Sequence, residues 1–141
     1  MPIKLDIVTI ERLVFSEDVD MVIAPGTEGT MGILPHHAPL MSALKPGELV
    51  VRRAGMPDRL IAIGGGFMEV RPDKVTILAD TAEHADEIDV ARAEEARKRA
   101  ENLLKEKPAD AAQYAALEIA LRRAEVRLKV ARRRRPEGQM Q

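Results

Sequence analysis

Through roughly the first 85 residues, apolar positions fall in runs of four to eight interrupted by Gly and Pro, a rhythm that predicts short β-strands and no helix. The candidates are Ile3–Ile10, Leu13–Phe15, Met21–Ala24, Glu48–Arg53, Leu60–Ile63, Phe67–Val70 and Lys74–Leu78. Pro25-Gly26, Pro46-Gly47, Ala54 to Asp58 and Pro72-Asp73 read as turns between them. Short connections of this kind suit antiparallel strands that close a two-sheet core, a sandwich or a barrel. Phe15 and Phe67 are the only aromatic residues in this part, so the core must rest on Val, Ile, Leu and Met.

From about Asp86 the pattern changes to Ala, Glu, Lys, Arg and Leu, with no Gly before Gly138, and every residue type used favours helix. Asp89 is placed to cap a first helix in which Ala93, Ala96, Ala100 and Leu103 share one face, and Pro108 stops it. Asp110 with Gln113 offers a capping box for a second helix, where Tyr114, Leu117, Leu121, Ala124, Leu128 and Ala131 form a heptad seam. A connection as short as Lys107 to Asp110 makes the two antiparallel neighbours, a helical hairpin. Ala and Leu bury little area each, at about 25 cal/mol per Å². Such a hairpin is expected to dock on something larger or to move between docked states.

Composition narrows the class. With 141 residues, 45% hydrophobic, 32% charged and 2% aromatic, the chain suits one domain with at most a small appendage. It has no Cys, which excludes disulfides, thiolate nucleophiles and Cys-ligated metal sites and points to a reducing setting. No run approaches the ~18 apolar residues of a membrane span, and Met1-Pro2-Ile3-Lys4 does not open a signal peptide. The expectation is a soluble protein without direct membrane insertion. The net charge of −1 conceals a polar chain: residues 1–86 carry 8 basic and 13 acidic residues, net −5, and residues 87–141 carry 14 and 10, net +4. Arg122, Arg123, Arg127, Lys129 and Arg132 to Arg135 face one acid, Glu125, so that end seeks an anionic partner.

Most segments that could carry chemistry reduce to backbone geometry. Gly26, Gly29 and Gly32 recur every three residues but lack the Lys-Ser/Thr pair and following helix of a phosphate loop, and read as tight turns needing positive φ. Gly64-Gly65-Gly66 fits a bulge or a close backbone approach. His36 and His37 would point to opposite faces of an extended segment, with no third ligand at metal spacing. No nucleophile, acid–base pair or metal constellation forms a self-contained active site. The helical part is more specific: Arg92 and Arg99 share one face of the first helix, Arg123 and Arg127 one face of the second. In a closed hairpin the four guanidiniums can converge on a polyphosphate. Equally, they can be ordinary solvated charges paired with neighbours such as Glu95.

Four motifs in order carry a family resemblance: residues 29–40 (GTMGILPHHAPL), 65–70 (GGFMEV), 75–80 (VTILAD) and 88–93 (IDVARA). Together they resemble the epsilon subunit of bacterial and chloroplast F-type ATP synthases nearly end to end. The resemblance implies a ten-stranded antiparallel β-sandwich over residues 1–86 and a regulatory two-helix hairpin over residues 87–141. It implies a non-catalytic rotor subunit, peripheral at the cytoplasmic face of the cell membrane. The partners would be the gamma subunit, the c-ring and the alpha and beta subunits of a complex serving ATP synthesis and ion transport.

The c-ring contact would fall in Glu28 through His37, with Glu28, Thr30, Met31, Gly32, His36 and His37 as candidates and Glu28 a substitute for an acid that many relatives have at Thr30. In the family the extended hairpin blocks ATP hydrolysis, and Arg122, Arg132, Arg133, Arg134 and Arg135, with Arg123 and Arg127, would reach acidic segments of the beta subunits. The compact hairpin of some members binds ATP as a regulatory ligand, with or without magnesium. Here Glu83, Ile88, Asp89, Arg92 and Ala93 would frame the adenosine, and Arg99, Arg123 and Arg127 would complete the arginine set. Arg123 is preferred to Arg122 because only Arg123 has an Arg four residues later. The competing reading is an Arg-rich nucleic-acid-binding module, against which stand the acidic first half and the lack of interleaved aromatics.

Overall fold

The first strand, β1 (Ile3–Val8), alternates Ile3, Leu5 and Ile7 on the core side with Lys4, Asp6 and Val8 on the other, the period-two pattern of a strand with one buried face. The computed structural model describes residues 2–134. They divide into two units, one ending at His84 and one beginning at Ala85.

The first unit adds β2 (Leu13–Val19), β3 (Met21–Gly26), β4 (Gly29–Ile33), β5 (Leu40–Arg52), β6 (Arg59–Val70), β7 (Lys74–Ala79) and β8 (Ala82–His84). They pair in the order β2-β1-β7-β6-β5-β3-β4, with β8 added to β6. The two long strands serve twice. Leu40–Leu44 pairs with Gly66–Val70, whose other side takes β7, whereas Pro46–Val51 pairs with Arg59–Gly64, whose other side takes β8. The register is the same on both sides, and only the Lys45 and Gly65 pair drops out of the ladder between these halves. A close approach here requires glycine: Gly65 and Gly66 have φ +100° and +144°, and a Cβ on Gly66 would lie 2.9 Å from Ala79 Cα and collide with the Leu78 carbonyl.

Ten antiparallel strands are expected from the resemblance, and eight occur among the described residues. Pro46-Gly47 lies inside β5 and is not a turn, because cross-strand pairing carries the backbone through it; Pro25-Gly26 ends β3, and the turn falls directly after it at Thr27 and Glu28, closed by Gly26 opposite Gly29. One pair is parallel, β1 with β7, in register from Lys4 opposite Lys74 to Val8 opposite Leu78. Thr9 and Ile10 fall outside β1, where Thr9 Oγ1 accepts from the amides of Glu11 and Arg12 and turns the chain. The core cluster consists almost wholly of Val, Ile, Leu, Met and Ala with Phe15, and every member lies between Ile3 and Ala82. Phe67 is not among them: it faces outward, 58% exposed, with Leu78 directly opposite on β7.

In the second unit a single 3-10 turn, Ala85–Glu87, precedes α1 (Val90–Lys105) and α2 (Ala111–Arg134). Asp89 is the N-cap, its Oδ1 accepting from the Arg92 amide at 3.1 Å. Asp110 accepts from the Gln113 amide at 2.8 Å, and Gln113 Oε1 reaches back to the Ala109 amide at 2.5 Å, one residue before the usual capping-box partner. The first helix ends through Lys107, which takes φ +58° before Pro108. Ala93 and Ala100 on α1 and Ala124, Leu128 and Ala131 on α2 are buried as the seam predicts. Near the loop the seam opens: Leu103 is 40% and Tyr114 50% exposed.

Candidate functional site

The hairpin seam separates two flanks of different character. On one flank, Arg97 donates to Glu94 through Nη2 and to Glu101 through Nη1 at 2.7 Å, and Arg132 on α2 stands 3.9 Å from Glu94. Glu94 near the start of α1 meets Arg132 near the end of α2, which makes the helices antiparallel. The hydrogen bond from Arg97 holds the Glu94 carboxyl below its usual range against the opposing effect of burial, with smaller contributions from the charges of Arg97, Lys98 and Arg132. An open cleft of about 580 Å³ runs along this flank, lined by Glu94, Arg97, Glu125, Lys129, Arg132 and Arg133 among others.

By helical phase, Arg92 and Arg99 on α1 and Arg123 and Arg127 on α2 fall on the opposite flank. Arg92 and Arg99 are exposed, and Arg123 and Arg127 half-buried. The other predicted nucleotide residues are distributed differently. The Asp89 carboxylate caps α1, Ala93 is fully buried in the seam and Ile88 is nearly so. Glu83 stands on β8, in the first unit. The Glu94, Arg97 and Glu101 group is the one that spacing reasoning passed over, although its i, i+3 and i+4 pattern is a legible signal.

The predicted ring-facing segment is a β-hairpin tip followed by a turn, rather than one loop. Thr27 and Glu28 connect β3 to β4 and are exposed. Thr30 and Gly32 share the exposed face of β4, whereas Met31 packs, half-buried, against the core. Of the three glycines only Gly29 takes a positive φ, +140°. His36 and His37 are not extended: the His37 amide donates to the Leu34 carbonyl, and His36 has φ +66° after Pro35, the arrangement of a type II turn. Among the basic residues at the end of α2, Arg122, Arg132 and Arg133 are exposed, only the backbone of Arg134 is described, and Arg135 lies outside the described residues.

Residues 2–85 match the model of the ATP synthase delta/epsilon chain beta-sandwich domain, and residues 86–132 that of the delta/epsilon chain long alpha-helix domain. The chain belongs to the ATP synthase delta/epsilon chain family. An ATP synthase epsilon chain of Dehalococcoides mccartyi is 57% identical over 138 residues, 98% of each chain. One from Herpetosiphon aurantiacus is 58% identical over 137 residues, 96% of this chain and 98% of the relative. Among solved structures, a chain of the Euglena gracilis mitochondrial ATP synthase, in an assembly of OSCP, F1 and c-ring, superposes with a TM-score of 0.77 at 30% identity, covering 92% of this chain and 81% of that one. A chain of the Tetrahymena thermophila mitochondrial ATP synthase central stalk and c-ring shares the fold, with a TM-score of 0.61 at 15% identity. This family member is of the epsilon type, a component of the F-type ATP synthase stalk, and the processes it serves are ATP synthesis and ion transport. No helix among the described residues is long and apolar enough to cross a membrane.

Proposed function

We propose that the chain is a non-catalytic rotor subunit whose first unit binds the gamma subunit and the c-ring at the cytoplasmic face of the cell membrane, and whose hairpin regulates ATP hydrolysis. Exposed Glu28, Thr30, Gly32 and His36 offer the ring a polar contact surface. In its extended form the hairpin would present Arg122, Arg132 and Arg133 to acidic segments of the beta subunits, an attraction that salt weakens where water remains. In its compact form it would bind ATP as a regulatory ligand, with or without magnesium.

The observation that carries the nucleotide reading is the sorting of charge between the two flanks. Glu94 and Glu101 bind Arg97 on one flank, and Arg92, Arg99, Arg123 and Arg127 fall together by phase on the other. Guanidiniums match phosphate oxygens with forked donors. Asp89 is committed to capping α1 and Glu94 to Arg97, and this supports a ligand that is held rather than hydrolysed. A ligand bound only by the compact form favours it by RT ln(1 + [L]/Kd), about 2.7 kcal/mol at a hundred times Kd. Calorimetric titration of the full chain with ATP, in the presence and absence of magnesium, tests the reading. Arg92→Ala and Arg127→Ala should each weaken binding about tenfold, the loss of one charge-assisted hydrogen bond; unchanged affinity removes those residues from the site.

A further inference from the structure

His84 ends β8 and is the last residue of the first unit. Its strand is three residues long and hydrogen-bonded along β6, from Ile61 opposite His84 to Ile63 opposite Ala82. So short a ladder holds weakly by itself. The imidazole adds two ties. Its Nε2 lies 2.8 Å from the Val14 carbonyl oxygen on β2, and its Nδ1 lies 3.4 Å from Arg59 Nη1 on β6. A guanidinium can only donate. Nδ1 is therefore the acceptor, and the ring proton resides on Nε2, from which it is donated to Val14. Arg12, just before β2, straps the same strand by donating through Nη2 to the Ala82 carbonyl at 3.4 Å.

We infer that His84, held as the Nε2–H tautomer, is a clip that keeps β8 on the sandwich and thereby sets the slack available to the hairpin. The polypeptide passes directly from His84 into the second unit. Releasing the three residues of β8 adds about 10 Å of free tether at ~3.3 Å per extended residue. His84 is a positioning residue in this role. The inference rests on the reading of the hairpin as a mobile arm.

The test uses the full chain. Nitrogen-15 spectra of the histidine rings should show His84 protonated on Nε2 and bare on Nδ1. His84→Ala should speed amide exchange at Ala82 to His84 about tenfold, the loss of one hydrogen bond, while amides shared by β1 and β7 keep their protection. His84→Gln, whose amide can reach the Val14 carbonyl, should restore most of it. Because the chain has no Cys, labels at Met56→Cys and Lys98→Cys report on the arm without interference. Their distance distribution should broaden in the Ala variant and stay as in the parent in the Gln variant. An Nδ1–H ring, or unchanged exchange in the Ala variant, overturns the clip. Faster exchange with an unbroadened distance overturns the clip's hold on the hairpin's slack; the mobile arm itself is refuted if the parent's distances stay the same with and without ATP.

Discussion

Gly66 occupies a point where no side chain fits, since its φ of +144° disfavours an L-residue and Leu78 crosses directly above its α-carbon. Gly66→Ala should cost about 3 kcal/mol or more, combining backbone strain with a steric clash, seen as a lower urea midpoint for the β-signal. Asp6 is a second sensitive residue. Ser16 Oγ donates to it at 2.7 Å, Lys74 stands 2.9 Å away, and these hold its carboxyl below the usual 3.8. A depressed carboxyl contributes stability that is fully present above the unfolded value and lost as pH falls through the folded one. Denaturant melts should therefore show stability dropping as pH falls below about 3.8, and Asp6→Asn should be less stable at neutral pH and flatter across that interval. Single-residue patterning read the interior well but does not say which face Phe67 takes. Hydrophobicity says that a side chain prefers burial, while the pleat decides which face it points to, and Gly66 and Met68 flanking it are already turned inward.

At the scale of elements, α1 ends on a conformation usually reserved for glycine. Lys107, at φ +58°, follows the Glu106 cap, whose amide donates to the Leu103 carbonyl at 3.3 Å. Lys107→Gly should stabilise the hairpin by about 1 kcal/mol, the left-handed penalty relieved less the chain entropy added, and the helical circular dichroism should melt at a higher temperature. Both helices, their caps and the stop at Pro108 were legible because those signals are local. The strands that escaped notice lack local signals. In β4, Gly29, Thr30, Met31 and Gly32 have no apolar run and become a strand by pairing with β3, and β8 is three residues held by β6 and β2. The unbroken course of β5 and β6 is likewise a property of their partners. The open end of the seam at Leu103 and Tyr114 escaped because a heptad pattern carries no information on where the two helices part.

For the whole molecule, the core cluster contains nothing from the second unit, so a chain ending after Glu87 should still fold. Reassembled into the ATP synthase, it should support synthesis as the full chain does and raise the rate of ATP hydrolysis; an unraised rate would refute the regulatory role of the hairpin. Of the candidate site, the arginine set was readable from spacing, since helical phase converts sequence separation into a shared flank. The Glu94 and Arg97 pair was as readable, but its tie to Arg132 was not, since that joins helices that spacing treats one at a time. The parallel contact of β1 with β7 has a kinetic consequence. Strand β1 leaves the ribosome early, yet its inner neighbour follows about seventy residues later, a high contact order that delays closure. Until then Ile3, Leu5 and Ile7 offer a nascent apolar edge to any chaperone within reach. The helices, whose pairing is local in sequence, emerge last and can close fastest.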